Sequence, residues 1–178
     1  MYRPYVTLYK YQTGELIGEG IWLPSVKIIN PEPQIAPQHD VGARFAEMAT
    51  LLGYDLTLPE AGVRAGRQFT LTLYYQSDAP APLDYTRFVH LSDMQDDMAA
   101  QTDSPPAGGR NPTSTWMPGE IIVDRVRLTV KEDAVPGVYS LRVGLYDPAN
   151  GVRVPVADRA GSPQPDGQIV LTDVPIEK

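Results

Sequence analysis

The stretch DYTRFVHLSDMQDDMAAQTDSPPAGGRNPTSTWMPGEIIVD, from Asp84 to Asp124, is the part of the chain around which the rest is organised. Two apolar segments, Tyr85–Leu91 and Met98–Thr102, flank the polar sequence DMQDD, which is typical of a β-hairpin. A long loop rich in Pro, Gly, Asn, Ser and Thr follows, and another apolar segment begins at Ile122. The stretch therefore predicts a strand, a hairpin turn, a second strand, a long ordered loop and a third strand.

Segments of the same kind lie on both sides of this stretch, at Gln68–Ser77, Ile122–Val130, Pro136–Tyr146 and Ile169–Ile176. In the first three of them apolar and polar residues alternate, which is the pattern of a strand with one buried face, and Ile169–Ile176 is predicted to be the last strand. The chain has 18 prolines and 15 glycines, and these favour many turns over long helices. We therefore expect an all-β fold, an antiparallel β-sandwich of the Ig-like or jelly-roll-like Greek-key kind.

Two local features refine this expectation. Arg44–Leu58 is rich in good helix formers, but the alternation after Gly53 favours a pair of strands that is broken at that glycine. Tyr139 follows Gly137 by two residues at the start of an apolar strand, which resembles the tyrosine corner of Greek-key sandwiches.

Composition and charge limit the classes of function. The net charge of −7 disfavours binding to nucleic-acid phosphates and to anionic lipid headgroups, whereas neutral partners such as sugars are compatible with it. The absence of cysteine excludes disulfides, thiolate catalysis and Cys-based zinc sites. No segment reaches the roughly 18 apolar residues that span a bilayer. We expect no nucleic-acid binding and no direct membrane insertion by this chain.

The two ends of the chain match each other. VTLYKYQTGELI at Val6–Ile17 aligns without gaps on VGLYDPANGVRV at Val143–Val154, at an offset of 137 residues. Ile21–Ile28 aligns on Ile169–Ile176 at an offset of 148, so the two copies differ by an 11-residue insertion. Generic similarity between two hairpins would also give a match of this length.

This match suggests a division of the chain. Residues 1–29 would be the closing strands of a preceding repeat or an added edge hairpin, residues 30–42 a Pro-rich linker, and residues 43–178 a complete β-sandwich module. An orphan hairpin is unstable alone, so residues 1–29 would pair with a sheet edge or exchange strands with a neighbour.

Five segments of the chain resemble a known family. They are LGYDL at Leu52–Leu56, DYTRFVHL at Asp84–Leu91, QTDSP at Gln101–Pro105, PTSTWMPGE at Pro112–Glu120, and PGVY with VGLYD inside Pro136–Asp147. Together they resemble the soluble C-terminal β-sandwich region of bacterial membrane proteins similar to dolichyl-phosphate-mannose-type glycosyltransferases. The resemblance covers about residues 43–178.

The resemblance implies a context more than a mechanism. It implies an extracytoplasmic location, periplasmic or at the cell surface, as a soluble part of a membrane-attached protein whose other domains are the neighbouring partners. Any transferase chemistry would lie in a membrane part that this chain lacks. The resemblance carries over no catalytic residue, and we expect the chain to be a piece of a longer protein.

The candidate ligand-binding residues are Trp116, Asp103, Asn111, Thr113 and His90. The Trp116 ring could stack on a sugar, and the polar side chains could bind hydroxyl groups. The alternative for Trp116 is a ring that folds back and caps the core, because tryptophan is usually largely buried. The alternative for His90 is a histidine that is hydrogen-bonded within the sandwich or at its rim.

Two further ideas concern carboxylates. Asp93, Asp96 and Asp97 are weak calcium ligands by composition, although their spacing is not that of an EF-hand loop and a turn-forming acidic cluster is the alternative. Asp103 and Asp124 could be a glycosidase pair, which needs two carboxyl groups about 5–10 Å apart across a cleft. The chain contains no P-loop, nucleophile elbow, dinucleotide fingerprint or metalloprotease helix.

The sequence therefore predicts a non-catalytic β-sandwich accessory module of a larger extracytoplasmic or membrane-attached bacterial protein, with a glycan as the candidate ligand. The alternative is a structural or assembly spacer without a ligand. A glycoside hydrolase that uses Asp103 and Asp124 is the third hypothesis. Calcium is the one cofactor that the sequence suggests.

Overall fold

The computed structural model describes residues 3–24, Lys27 and residues 35–178. The chain forms two compact units, Met1–Asn30 and Pro31–Lys178. Among the described residues, no helix is long and apolar enough to cross a membrane.

The N-terminal unit contains a small two-stranded sheet. β1 (Tyr5–Val6) pairs antiparallel with β2 (Ile21–Trp22), and an isolated bridge joins Tyr9 to Leu16. The turn between them includes Gly14, whose φ of 67° is a left-handed conformation that glycine adopts without strain. A hairpin is therefore present where the sequence predicts one.

The larger unit consists of strands that are joined by turns and short loops. The strands are β3 (His39–Phe45), β4 (Ala49–Thr57), β5 (Val63–Arg64), β6 (Gln68–Ser77), β7 (Thr86–Ser92), β8 (Met98–Ser104), β9 (Ile121–Thr129), β10 (Gly137–Tyr146), β11 (Val156–Ala157), β12 (Pro163–Gln164) and β13 (Gln168–Glu177). Short 3-10 turns lie at Pro106–Gly109, Thr113–Thr115 and Pro165–Gly167.

These strands form two sheets. The five-stranded sheet has the order β5–β13–β10–β7–β8, and the six-stranded sheet has the order β12–β11–β3–β4–β6–β9. Neighbouring strands run antiparallel, apart from β5 and β13, which are parallel. Buried side chains from both sheets form one core. The predicted all-β sandwich is confirmed, with a parallel pair that alternation alone could not show.

The core is built from the alternating faces of the strands. On β6 the side chains of Phe69, Leu71, Leu73 and Tyr75 are all buried. Removal of such apolar surface from water stabilises the fold by roughly 25 cal/mol per Å². The predicted tyrosine corner is also confirmed, because the Tyr139 hydroxyl donates a 2.8 Å hydrogen bond to the Val135 carbonyl.

The strand pair predicted over Arg44–Leu58 is present, but its break is not at Gly53. β3 and β4 meet at a turn that begins at Ala46, whose φ of 47° is a left-handed conformation that few residues other than glycine adopt. This turn contains no glycine or proline, so no residue in it indicates a turn. Gly53 lies inside β4, where a Cβ would collide with the His39 carbonyl oxygen.

The predicted linker at 30–42 is too long at its C-terminal end, and its residues 30–34 lie outside the described residues. β3 begins at His39, so residues 39–42 belong to a strand and the sandwich starts before residue 43. Hydrogen bonding of the strand to β4 explains the difference, because His39 and Asp40 pair with Tyr54 and Gly53. The rest of the predicted division stays a prediction.

Candidate functional site

Trp116 does not form a surface for a sugar. Its side chain is only 1% exposed, and its ring packs 5.8 Å from the ring of Tyr75 inside the sandwich. The indole Nε1 donates a 2.9 Å hydrogen bond to the Asn111 carbonyl. A buried ring cannot stack on a ligand, so the expectation that Trp116 binds a glycan is wrong. The alternative, a tryptophan that caps the core, is correct.

Asn111 and Thr113 order the loop that leads to Trp116. The Thr113 hydroxyl donates to the Leu83 carbonyl and accepts from the Tyr85 amide, both at 2.8 Å, and Thr113 is fully buried. Asn111 Nδ2 donates a 2.9 Å hydrogen bond to Glu120 Oε1. These bonds hold the loop on the sandwich. The buried Thr113 side chain is not accessible to a ligand, so that expectation is wrong for Thr113, whereas ligand binding by the partly exposed Asn111 stays a prediction.

Asp124 cannot act with Asp103 as a glycosidase pair. Asp124 is 1% exposed, and its carboxylate is held by Arg87 Nε at 3.0 Å and by the Ala107 amide at 3.0 Å. A catalytic carboxyl group needs access to a cleft and to a substrate oxygen. The hydrolase hypothesis is therefore wrong for this pair.

The calcium hypothesis is also not supported. Asp93 Oδ1 accepts hydrogen bonds from the amides of Gln95 and Asp97, both at 2.9 Å, and so closes the hairpin turn. Asp96 Oδ1 instead pairs with Arg142 Nη1 at 2.9 Å. Within the described ranges, no group of three or more His, Cys, Asp or Glu side chains could hold a metal ion. The acidic turn is explained by local bonding.

His90 and Asp103, the two other candidates, lie close together on the outer face of the five-stranded sheet. His90 on β7 is directly opposite Gln101 on β8 and Arg142 on β10. One pleat further along β7, Phe88 is opposite Asp103 and Gly144. The term His90 patch denotes the outward side chains of Phe88, His90, Gln101, Asp103, Arg142 and Tyr146.

Aromatic rings form the base of the His90 patch. The Phe88 ring lies 4.8 Å from the His90 ring and 6.3 Å from the Tyr146 ring, measured between centroids. Gly144 makes room for it, because a Cβ at that position would collide with the Phe88 ring. The Arg153 guanidinium carbon lies 4.4 Å from the centre of the Phe88 ring, a cation–π contact. Phe88 is consequently buried although it lies on an outward face.

Polar groups surround these rings. The Tyr146 hydroxyl donates a 3.2 Å hydrogen bond to Asp103 Oδ2, and His90 Nε2 lies 3.8 Å from Asp103 Oδ1. Arg142 Nη1 donates to the Ser92 hydroxyl at 3.0 Å. Gln101 and Asp103 are exposed, whereas His90, Arg142 and Tyr146 are partly buried. The patch thus presents ring surface beside an accessible carboxylate and an accessible amide.

Protonation in the patch follows from burial. Burial lowers the pKa of His90 below its ordinary value; the Asp103 carboxylate opposes this shift, while Arg153 and Arg142 add to it. Burial raises the pKa of the Tyr146 phenol, and Asp103 raises it further. Both rings are therefore neutral near neutral pH.

Part of this patch was predictable from the sequence. His90 and Asp103 were candidate residues, whereas Phe88, Gln101, Arg142 and Tyr146 were not. Alternation along each strand could have shown that these side chains point outward together. The register that places β7 between β8 and β10 is a non-local property, which no pattern within a single strand indicates.

Comparisons with known proteins concern the fold. No protein-family model matches the chain. No curated protein matches it. The structure is similar to the crystal structure of the C-terminal domain of Wzt, with a TM-score of 0.51 and 12% sequence identity over 80% of this chain and 81% of that chain. At this identity the similarity shows a shared fold alone, and the resemblance to the glycosyltransferase-associated region stays a prediction.

Proposed function

We propose that residues 39–178 form a non-catalytic module that binds a neutral carbohydrate on the His90 patch. The observation that carries this proposal is the meeting of three rings, those of Phe88, His90 and Tyr146, with accessible polar side chains on one sheet face. A sugar presents apolar C–H surface and a rim of hydroxyl groups. A site for it therefore combines ring surface with a few well-placed donors and acceptors.

Each side chain of the patch has a distinct part in this proposal. Tyr146 and His90 offer ring surface, because Phe88 lies beneath them and is only 2% exposed. Asp103 accepts hydrogen bonds from sugar hydroxyls, and the Gln101 amide both donates and accepts. These two groups are exposed at neighbouring outward positions of β8.

The charges favour a neutral ligand. Arg142 is already paired with Asp96 at 2.9 Å, and the Asp103 carboxylate accepts a hydrogen bond from Tyr146. The net charge of −7 also repels anionic polysaccharides at long range. Arg153, a further cation beside the patch, packs on the Phe88 ring and donates a 3.0 Å hydrogen bond to the Asp166 carbonyl. A neutral glycan needs no unpaired cation and is not subject to the long-range repulsion.

The wider context is also a proposal. The resemblance of about residues 43–178 to a soluble region of membrane glycosyltransferase-like proteins supports a place in a larger, extracytoplasmic bacterial protein. In that setting the module would hold a glycan close to other domains of the same protein.

A spacer module without a ligand is the second candidate function. The burial of Phe88 and the hydrogen bonds within the patch favour it, because polar groups that satisfy one another need no ligand. The two functions differ in one measurable property, which is the affinity of the patch for a glycan.

Isothermal titration calorimetry of the full chain against a panel of neutral oligosaccharides tests the proposal. At least one member should bind, and Asp103→Ala and Tyr146→Ala should each weaken binding about tenfold or more through lost hydrogen bonds and ring contact. Thermal unfolding of each variant confirms that it is folded.

The six-stranded sheet offers a matched control. There the Tyr74 hydroxyl donates a 2.6 Å hydrogen bond to Asp55 Oδ2, the same pair of residue types on the other sheet. Tyr74→Ala and Asp55→Ala should leave glycan affinity unchanged. An absence of binding across the panel supports the spacer, and equal affinity for patch variants and wild type places the ligand elsewhere.

A further inference from the structure

The N-terminal hairpin repeats the hydrogen bonds of the hairpin that follows β10. The bridge between Tyr9 and Leu16 has its counterpart in the bridge between Tyr146 and Arg153, at the same offset of 137 residues as in the sequence. Three backbone hydrogen bonds are matched at this offset. Lys10 N to Glu15 O (2.8 Å) corresponds to Asp147 N to Val152 O (2.9 Å), and Gly14 N to Lys10 O (2.8 Å) corresponds to Gly151 N to Asp147 O (2.8 Å). Ile17 N to Leu8 O (2.7 Å) corresponds to Val154 N to Leu145 O (2.8 Å).

The correspondence extends beyond the hairpin. β1 and β2 pair Tyr5 with Trp22 and Val6 with Ile21. The counterparts of these residues at offsets of 137 and 148 are Arg142 with Val170 and Val143 with Ile169, and both of those pairs occur between β10 and β13. A shared turn type does not determine this second pairing, because the two copies have loops of different length before β2 and β13.

Burial shows what the N-terminal copy lacks. Val143 and Leu145 are 0% exposed and Val154 is 5% exposed, because they face the core of the sandwich. Their counterparts in the N-terminal unit are far more open, with Val6 at 40%, Leu8 at 65% and Ile17 at 49%. The same positions are thus core positions in one copy and surface positions in the other.

The complete module shows which strands cover these positions. There β10 also pairs with β7, where Val143 is opposite Val89, and the six-stranded sheet supplies the facing side chains. Within the described part of the N-terminal unit, β1 pairs with β2 alone. In the complete module, strands β3–β9 cover the surfaces that correspond to the second edge of β1 and to the apolar side of the N-terminal hairpin.

We propose that residues 3–24 are the closing strands of a second β-sandwich module, and that their apolar side docks on a strand set equivalent to residues 39–136. The occupant is thus the opening part of another sandwich of this kind, with a strand equivalent to β7 against β1. The register match favours this occupant over a simple edge addition, because edge addition would not bury Leu8 and Ile17.

The first experiment asks whether a second copy of the chain is the occupant. Sedimentation equilibrium of the full chain should give a monomer, with a matched pair of variants as controls. Leu8→Asp alters a docking position, and Tyr11→Asp alters a fully exposed turn position. A dimer that Leu8→Asp dissociates and Tyr11→Asp does not would overturn the proposal, because the surface would then bind another copy.

The second experiment supplies the proposed occupant. Residues 35–141 are fused before Tyr5 of the full chain, with Thr7→Gly at the counterpart of Gly144 to avoid the collision with Phe88. The amides of Lys10 and Ile17 should then exchange about tenfold more slowly than in the unfused chain, because docking removes open states. Leu8→Asp should abolish this protection, and Tyr11→Asp should retain it. Unchanged exchange in a folded fusion overturns the proposal.

A reciprocal graft decides the matter if the fused segment fails to fold. Residues 8–17 (LYKYQTGELI) replace residues 145–154 (LYDPANGVRV) in the full chain. The module should keep cooperative unfolding, because Leu8 and Ile17 enter the places of Leu145 and Val154. A graft of residues 9–18 shifts every side chain to the opposite face and should prevent folding. Equal stability of the two grafts contradicts the proposal.

Discussion

Arg87 on β7 and Asp124 on β9 form a buried ion pair that joins the two sheets, with Nε 3.0 Å from Oδ2. The same guanidinium donates hydrogen bonds to the Thr102 carbonyl at 3.1 Å and to the Ser104 hydroxyl at 2.6 Å. Asp124 also accepts a hydrogen bond from the Ala107 amide. The pair thus holds β7, β8, β9 and the start of the long loop in fixed positions.

Arg87→Met should destabilise the fold strongly. It leaves the Asp124 carboxylate buried without its cation, which typically costs about 3–5 kcal/mol in the free energy of unfolding. Urea denaturation measures this loss. Arg64→Met is the control, because Arg64 pairs with Glu177 at 3.4 Å in an exposed position and should cost less than about 1 kcal/mol. Similar losses in the two variants would contradict the account of the buried pair.

Tyr75→Phe should be neutral or stabilising by up to about 1 kcal/mol, because it removes a polar group that lacks a partner. The Tyr75 hydroxyl is buried and has no hydrogen-bond partner among the described residues. Tyr139→Phe is the matched variant, since it removes the 2.8 Å bond to Val135 and should cost about 1 kcal/mol. Thermal and urea unfolding compare the two. A larger loss in Tyr75→Phe would show that its hydroxyl is bonded after all.

His90 should make stability fall as the pH is lowered. Burial depresses its pKa in the folded state below the ordinary value of 6.5, so the unfolded chain binds the proton more readily. The contribution of neutral His90 to stability is present above the pKa of the imidazole in the unfolded chain. It is lost as the pH falls through the pKa of the imidazole in the folded chain.

The test compares His90→Gln with the wild type by urea denaturation from about pH 8 to about pH 5, a range that brackets an ordinary histidine pKa. His90→Gln should flatten the loss of stability below the unfolded pKa. When the series is extended into acid, a second loss below the ordinary value of 3.8 for Asp55 should occur in both proteins, because the Tyr74 hydroxyl and the Gln38 amide lower the pKa of that carboxyl. Identical slopes for variant and wild type in the histidine range would refute the prediction.

Trp116→Phe should reduce stability without changing glycan affinity. The smaller ring leaves space against Tyr75 and removes the 2.9 Å bond to the Asn111 carbonyl, at a cost of about 1–3 kcal/mol. Chemical denaturation measures the first effect and calorimetry with the bound oligosaccharide measures the second. If Trp116→Phe kept wild-type stability but lost glycan affinity, the glycan site would lie on the long loop instead.

The strands of the sandwich were predictable because their signal is local. Phe69, Leu71, Leu73 and Tyr75 alternate with polar residues, and such alternation follows directly from the pleat. The turn at Ala46 was not predictable, because a left-handed alanine carries no sequence signal and is imposed by the pairing of β3 with β4. The strand break predicted at Gly53 was wrong because this glycine lies inside a strand, where its small size permits close packing.

The site was only partly predictable because its residues come from three strands. The long loop drew attention to Trp116, but composition does not tell whether a ring faces solvent or the core. His90 and Asp103 were separate candidates in the sequence, and only the register of β7 with β8 shows that they lie close together. Tyr146 lies beside them because of the register of β7 with β10, which depends on contacts between residues 48 to 60 positions apart in the chain.

Chemical-shift mapping on the ¹⁵N-labelled full chain locates the glycan site on the protein. The oligosaccharide that binds in calorimetry is titrated, and backbone amide shifts are followed to saturation. We expect the largest changes on the outer face of the five-stranded sheet, at His90, Gln101, Asp103, Arg142 and Tyr146. Largest changes along residues 105–120, or around Tyr74 on the six-stranded sheet, would contradict it.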